Sequence, residues 1–285
     1  MIAITGASGQ LGRLVIDTLL HQIPASEIAA IVRDPAKVGD LAARGVHIRQ
    51  ADYDQPATLD AAFKGIDKLL FISSSAIGRR IPQHSAVIAA AQRGGVRLLA
   101  YTSLLHADAS PLKLAAEHQQ TEALLRNSGL PCVILRNGWY TENYAAAIAA
   151  APTHGVVLGC AGNGRFSTAT RADYAAAAAA ILTSNDPQAN RIYELAGDTG
   201  YTLSELAAEI ARQCGKPVIY QNLAETDYKA ALLQFNVPEE MAAMLADADS
   251  CAASGILFDD NRQLSRLIGR PTTPLATTVA AFLKP

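Results

Sequence analysis

Through its first half the chain alternates short apolar runs with helically spaced apolar positions. Residues 2–5, 28–32, 46–49, 69–72, 98–102 and 132–135 are strand-length runs dominated by Ile, Val, Leu and Ala. Each is followed by helix signals. Asp34-Pro35 supplies an N-cap and a first-turn proline. Leu59, Ala62 and Phe63 share one helical face, and Gly65 stands at its stop; Gly94-Gly95 and Gly129 end later helices in the same way. Repeated strand–helix–strand spacing predicts an α/β fold, a doubly wound parallel sheet of Rossmann type with helices on both faces. Ligands of such sheets bind at the carboxyl ends of the strands. A seventh strand over 192–196 is expected to join the sheet after an alanine-rich helix over 172–182.

The rhythm changes near residue 200. Thr202 and Glu205 form a capping box, and Leu203, Leu206, Ala207 and Ile210 make one apolar stripe. Gly215 and Pro217 stop that helix, 218–220 reads as a short strand, and helical patterns resume up to Leu264, Leu267 and Ile268 before Gly269. The expected organisation is a dinucleotide-binding domain over 1–150 and a smaller, mostly helical lobe over 151–285.

Composition narrows the function classes. With 285 residues and 50% hydrophobic content the chain supplies a large core. A net charge of -2 gives no polybasic footprint for nucleic acid or an anionic membrane. The fully apolar run 174–182 is too short to span a bilayer, and no secretory signal is read at the amino end. The four cysteines are widely spaced, as in a reducing cytoplasm, and the six histidines show no metal spacing. Assembly into a homo-oligomer is left open.

The opening MIAITGASGQLG carries the first chemistry. A strand, then Gly6, Gly9 and Gly12, then a helix make a phosphate cradle. Gly6 permits the tight turn, Gly9 lets backbone approach a pyrophosphate, and Gly12 lets the helix pack close to the strand. The second strand ends in Arg33-Asp34. An arginine at that tip suits the 2′-phosphate of NADP, and Asp34 is better placed as a helix cap, so NADP is expected over NAD. The alternative is a solvated Arg33 with Asp34 on the ribose. Asp52-Tyr53 lies beside the adenine on this reading, or belongs to a loop that caps the next helix through Asp54.

TGASGQLG, IVRDPAK, ADY, FISSS, YTS and LRNGWYTENY, in that order after the first to sixth strands, resemble the NmrA-like branch of the atypical short-chain dehydrogenases over essentially the whole chain. That resemblance implies a flavin-free reductase using NADPH directly, and the histidine spacing gives no reason to expect a metal. It implies cofactor contacts at Gly6, Ala7, Ser8, Gly9, Gln10, Leu11 and Arg33, at Ser73, Ser74 and Ser75, and at Asn137, Gly138, Trp139, Tyr140, Thr141 and Glu142.

Short-chain dehydrogenases that reduce ketones use a tyrosine followed four residues later by lysine. Here Lys113 stands at the lysine position and Ala109 at the tyrosine position. A ketone becomes a localised alkoxide that needs an acid. A quinone becomes a delocalised anion that water protonates later, so its hydride transfer needs mainly alignment. The missing tyrosine thus favours an electron-poor conjugated acceptor such as a quinone, or no catalysis. Trp139, Tyr140 and Asn143 are the expected acceptor pocket, although Trp139 and Tyr140 read equally as packing residues. Residues 77–80 read as a lip or a plain surface loop. Ser73, Ser74 and Ser75 lack a nucleophile-elbow setting and are expected to bond cofactor oxygens or cap the next helix. The competing function is a non-catalytic NADP-binding redox sensor. A sugar-nucleotide epimerase is disfavoured, since it needs the absent tyrosine.

Overall fold

In the computed structural model, which describes residues 1–284, the apolar runs of the first half become strands. The chain runs β1 (Ile2–Ile4), α1 (Gln10–Leu20), β2 (Ile28–Val32), α2 (Gly39–Ala43), β3 (His47–Gln50), α3 (Pro56–Ala62), β4 (Lys68–Phe71), α4 (Arg80–Arg93), β5 (Leu98–Leu104), α5 (Ala115–Asn127) and β6 (Cys132–Asn137). There follow α6 (Ala145–His154), β7 (Val156–Gly159), β8 (Arg165–Phe166), α7 (Arg171–Thr183) and β9 (Ile192–Leu195). The rest is β10 (Tyr201–Thr202), α8 (Leu203–Cys214), β11 (Ile219–Asn222), α9 (Glu225–Gln234), α10 (Glu239–Ala252), α11 (Gln263–Ile268) and α12 (Leu275–Leu283).

These elements form two compact units. The first comprises Met1–Asp108, Ala115–Asn137 and Arg171–Glu194; the second comprises Ala109–Leu114, Gly138–Thr170 and the described residues from Leu195 onward. The chain thus visits each unit more than once.

The first unit carries a seven-stranded sheet in the order β3-β2-β1-β4-β5-β6-β9. Strands β1 to β6 pair in parallel, with Ile4 opposite both Ala30 and Leu70. Strand β1 lies between β2 and β4, so the chain order reverses beside it, at the point where open α/β sheets bind ligands. The core includes Ile31, Leu59, Phe63, Phe71, Val87, Leu99, Tyr101 and Ile134. The alanine-rich α7 packs against α1 with Tyr174, Ala175, Ala177, Ala178, Ala179, Ile181 and Leu182 all buried. Small side chains allow that close approach. Strands β5 and β6 run two residues beyond their apolar signal, because Ser103 and Arg136 point their polar ends into ion pairs and hydrogen bonds while the ladder continues.

The second unit is mostly helical, with two small sheets. β7 and β11 pair in parallel, Ile219 opposite Val156, and β8 and β10 pair antiparallel, Tyr201 opposite Phe166. The capping box forms as read: Thr202 Oγ1 accepts from Glu205 N at 3.1 Å, and Glu205 Oε2 accepts from Thr202 N at 2.7 Å. Helix α8 ends at Gly215 in the left-handed region, φ +68°. Among the described residues no helix is long and apolar enough to cross a membrane.

Candidate functional site

The turn after β1 leads directly into the N-terminus of α1. Gly6 leaves the strand at φ +60°, and Gly9 N donates back to Gly6 O at 2.9 Å. Gly9 is the extended N-cap of α1, with no side-chain cap and no acidic residue in the first turn. The first helical N–H groups have no intrahelical acceptor and no side-chain cap. A Cβ on Gly9 would meet only Gly6 O, at 3.2 Å, so the space in front of the turn is open. A Cβ on Gly12 would meet Gly6 O at 2.5 Å and Ala7 Cα at 2.8 Å. Gly12 therefore permits packing against the turn itself rather than along the strand. Ala7 and Leu11 are buried, so what they offer a ligand is backbone. Ser8 and Gln10 are exposed.

Arg33 is exposed at the tip of β2, and its carbonyl accepts from Gln50 Nε2 at 3.0 Å. Asp34 is engaged as a cap, its Oδ1 accepting from Ala36 N at 3.0 Å at the head of a short 3-10 turn, Pro35–Val38. Asp54 does not cap α3. Its carboxylate instead takes Arg79 Nη2 at 2.9 Å and Gln83 Nε2 at 3.1 Å. Tyr53 donates to Ile72 O at 3.2 Å, and its ring meets Phe71 edge-on.

Ser73, Ser74 and Ser75 follow β4, next to the glycine turn in strand order. They do not cap α4, whose N-cap is Arg79; Ser74 Oγ accepts from Ala76 N at 3.1 Å. The segment over 77–80 is anchored, with Gly78 N donating to Glu117 Oε1 at 3.0 Å.

The tip of β6 is fixed by charge. Arg136 Nε and Nη2 grip Glu122 at 3.0 and 2.8 Å, both side chains buried. Arg136 Nη1 also reaches Glu194 at 2.8 Å and Asp108 at 3.0 Å. The carboxylates hold the guanidinium pKa above its ordinary value. The next residue, Asn137, is buried, and its Oδ1 has no hydrogen-bond partner among the described residues.

Lys113 precedes α5 rather than lying on it. Its side chain is 80% exposed and pairs with Asp247 at 3.3 Å and Glu225 at 4.0 Å, all in the second unit. Tyr101, the nearest tyrosine before Ala109, is fully buried in the first unit, and burial raises its hydroxyl pKa.

Gly138 to Asn143 belong to the second unit. Gly138 N donates to Leu195 O at 2.7 Å, Thr141 N to Ala169 O at 3.0 Å, and Thr141 Oγ1 to Thr168 Oγ1 at 2.8 Å. Asn143 N closes a turn on Tyr140 O at 3.0 Å. Trp139 is 6% exposed, and its Nε1–H has no partner among the described residues. Tyr140, Glu142 and Asn143 are half-buried.

Immediately beyond, Tyr144 donates to Asp249 Oδ1 at 3.0 Å, and Cys160 N donates to Asp249 Oδ2 at 3.2 Å. Burial among Tyr144, Cys160, Tyr201, Tyr220 and Tyr228 pushes the Asp249 carboxyl up to about 7. A carboxyl with a raised folded pKa binds its proton more tightly in the folded state. Between its unfolded value near 3.8 and about 7, stability therefore falls as pH rises, at most by about 1.4 kcal/mol per pH unit. His84 and His118, whose pKa values burial lowers, act with the opposite slope. Asp249→Asn should remove the Asp249 slope. In urea unfolding between pH 5 and pH 8, wild type should lose stability relative to the variant as pH rises, and parallel curves would remove Asp249 as the source.

Sequence reading missed Asp249, Glu122, His84 and His118. His84 carried a signal: it shares the buried face of α4 with Val87, Ile88 and Ala91. Among the described residues no group of His, Cys, Asp and Glu has the makings of a metal site.

A family model described as NAD(P)H-binding matches residues 6–185. The chain is 56% identical over 280 residues to quinone oxidoreductase 2 of Escherichia coli (strain K12), covering 98% of each chain. Among solved structures it is similar to the NADPH-dependent quinone oxidoreductase from Escherichia coli complexed with NADPH, at TM-score 0.97 and 55% identity over 100% of both chains. It is also similar to the Citrobacter sp. triphenylmethane reductase complexed with NADP(H), at TM-score 0.94 and 38% identity over 99% of this chain and 100% of that one.

Proposed function

The chain belongs to the NAD(P)H-binding family of NmrA-like oxidoreductases, and on that premise we propose that it passes a hydride from NADPH directly to a quinone-like conjugated acceptor, with no flavin. The observation that carries the reading is the pairing of two features. The α1 turn offers uncapped N–H groups to a pyrophosphate. The position of the usual proton donor is Ala109, while Tyr101 is sealed in the core.

NADPH would supply the hydride. Residues 6–11 would hold its pyrophosphate, Arg33 its 2′-phosphate, and Ser73 to Ser75 and Asn137 to Glu142 the rest. Trp139, Tyr140 and Asn143 are proposed to contact the acceptor. The residues need only align the reactants and exclude water, since a delocalised product anion needs no acid in place. Simple ketones should accordingly be poor substrates.

Arg33→Ala should weaken NADPH far more than NADH. A charge-assisted contact contributes about 1.5–3 kcal/mol, so the preference should fall roughly tenfold to a hundredfold. Titration with each cofactor reads this directly, and an equal loss for both would remove Arg33 from the 2′-phosphate.

The burial of Trp139 favours a second reading, a non-catalytic NADP-responsive regulator, because at 6% exposure little of the indole is open to an acceptor. Steady-state NADPH oxidation separates the two. The reductase consumes NADPH continuously only when a quinone is added; a regulator binds NADPH and consumes none with any quinone of a panel.

A further inference from the structure

The segment after β4 has no regular secondary structure, yet the peptide groups of Ser73 and Ser74 are held by buried side chains from two other elements. Ser73 N donates to Thr102 Oγ1 of β5 at 2.9 Å. Ser74 N donates to His84 Nε2 of α4 at 3.0 Å. The carbonyl of Ser74 accepts from Arg80 Nε of α4 at 2.6 Å. His84 is fully buried, Arg80 is 7% exposed and Thr102 is 4% exposed.

The proton positions follow from the donors. His84 Nε2 accepts from a peptide N–H, so it is bare and Nδ1 carries the proton. That proton goes to Thr121 Oγ1 at 2.8 Å, and the threonine hydroxyl donates to Glu117 O at 2.8 Å. Arginine has no acceptor, so Arg80 Nη1 donates to His118 Nε2 at 3.1 Å, and His118 Nδ1–H donates to the Tyr101 oxygen at 2.8 Å. Glu117 lies 3.9 Å from Arg80 and balances its charge. The rings of Phe71 and Tyr101 pack edge-on to His84 at 4.8 and 5.8 Å. Burial and the neighbouring Arg80 push the His84 pKa down to about 3, so the ring stays an acceptor at neutral pH.

A loop that only crosses a surface has its peptide groups satisfied by water. Here buried polar side chains are committed to three consecutive peptide groups, through Ser73 N, Ser74 N and Ser74 O, at the carboxyl edge of the sheet, beside the glycine turn. We propose that His84, Arg80 and Thr102 are positioning residues for the cofactor, clamping Ser73 and Ser74 so that this segment meets NADPH already ordered. The inference rests on the function proposed above. A pre-ordered segment loses little freedom on binding, and that shows as affinity. None of the three touches the reacting atoms; they act through the serine segment.

The test pairs two side chains of similar length. His84→Gln places an oxygen where Nε2 stood, and His84→Met does not. NADPH affinity should fall about five- to tenfold in His84→Met, the worth of one lost hydrogen bond. It should be largely restored in His84→Gln, and the KM for the quinone should be unchanged in both. Thermal unfolding establishes that both fold. If burial prevents that, Thr102→Val against Thr102→Ser makes the same comparison at the Ser73 amide. Equal NADPH affinity within a folded pair overturns the clamp while leaving the proposed function standing. A wild-type protein that binds no NADPH overturns the proposed function, and the clamp with it.

Discussion

Gly9→Val is expected to abolish binding of NADPH and NADH alike while leaving the protein folded. The residue sits at the N-cap with φ -79° and ψ 168°, a conformation valine adopts readily. A Cβ there meets a single atom, Gly6 O at 3.2 Å, a tight contact to which the turn must give by a few tenths of an ångström, and a branched side chain would take up space the proposed pyrophosphate needs. Displacing a pyrophosphate from two helix N–H contacts removes about 3–6 kcal/mol, a loss of roughly a hundredfold or more. Gly12→Ala is the contrasting variant. Its Cβ meets backbone at 2.5 Å, so its cost falls on folding before it falls on binding. Fluorescence titration with each cofactor, alongside thermal unfolding, separates the two. A folded Gly9→Val that binds NADPH normally would show that the pyrophosphate lies elsewhere.

Glu122→Ala is expected to have the largest effect on stability. Glu122 is 1% exposed and accepts from Arg136 Nε and Nη2, from Ser103 Oγ at 2.6 Å and from Arg126 Nη1 at 3.2 Å. Removing one partner of a buried ion pair costs about 3–5 kcal/mol, because the other charge is left without its main counterion. Glu194 and Asp108 still reach Arg136, which places the expected loss at the lower end, about 3 kcal/mol. At about 2.1 cal/mol/K of unfolding entropy per residue, that lowers the melting temperature by roughly 5 °C. Turnover should fall as well in the folded fraction, because Arg136 immediately precedes Asn137 at the tip of β6. A loss under about 1 kcal/mol in urea unfolding would mean that the remaining carboxylates neutralise Arg136 unaided.

Most of the sheet was legible because β1, β2, β4, β5 and β6 are largely buried runs, and these strands and β9 fall where the apolar pattern lies. What escaped has physical reasons. Strands β7 and β8 are four and two residues long, and their partners lie far along the chain, so no local period marks them. The ends of β5 and β6 were read two residues short because Ser103 and Arg136 look like loop residues until Glu122 is seen beneath them. The glycine turn was readable because strand, glycines and helix are contiguous. The clamp on Ser73 and Ser74 was not, because Thr102, His84 and Arg80 come from elements separated in sequence, and single histidines are ordinarily read for metal spacing. Lys113, at the lysine position of the dehydrogenase motif, lies before α5, where Leu112 N bonds the Ser110 side chain and Lys113 N bonds Asp247. Asp249 gave no signal, since nothing in its local sequence shows that α10 buries it against Tyr144 and Cys160.

The central claim is direct hydride transfer from NADPH to a quinone, and stereospecific labelling tests it most directly. Flavin-free protein is given NADPH carrying deuterium on one or the other face of C4, with a simple benzoquinone. The account predicts that one isomer is oxidised more slowly and yields NADP that has lost its deuterium, while the other is oxidised at the unlabelled rate and retains it. Failure of the quinone to drive oxidation of either isomer, or oxidation that appears only when flavin is added, would contradict it.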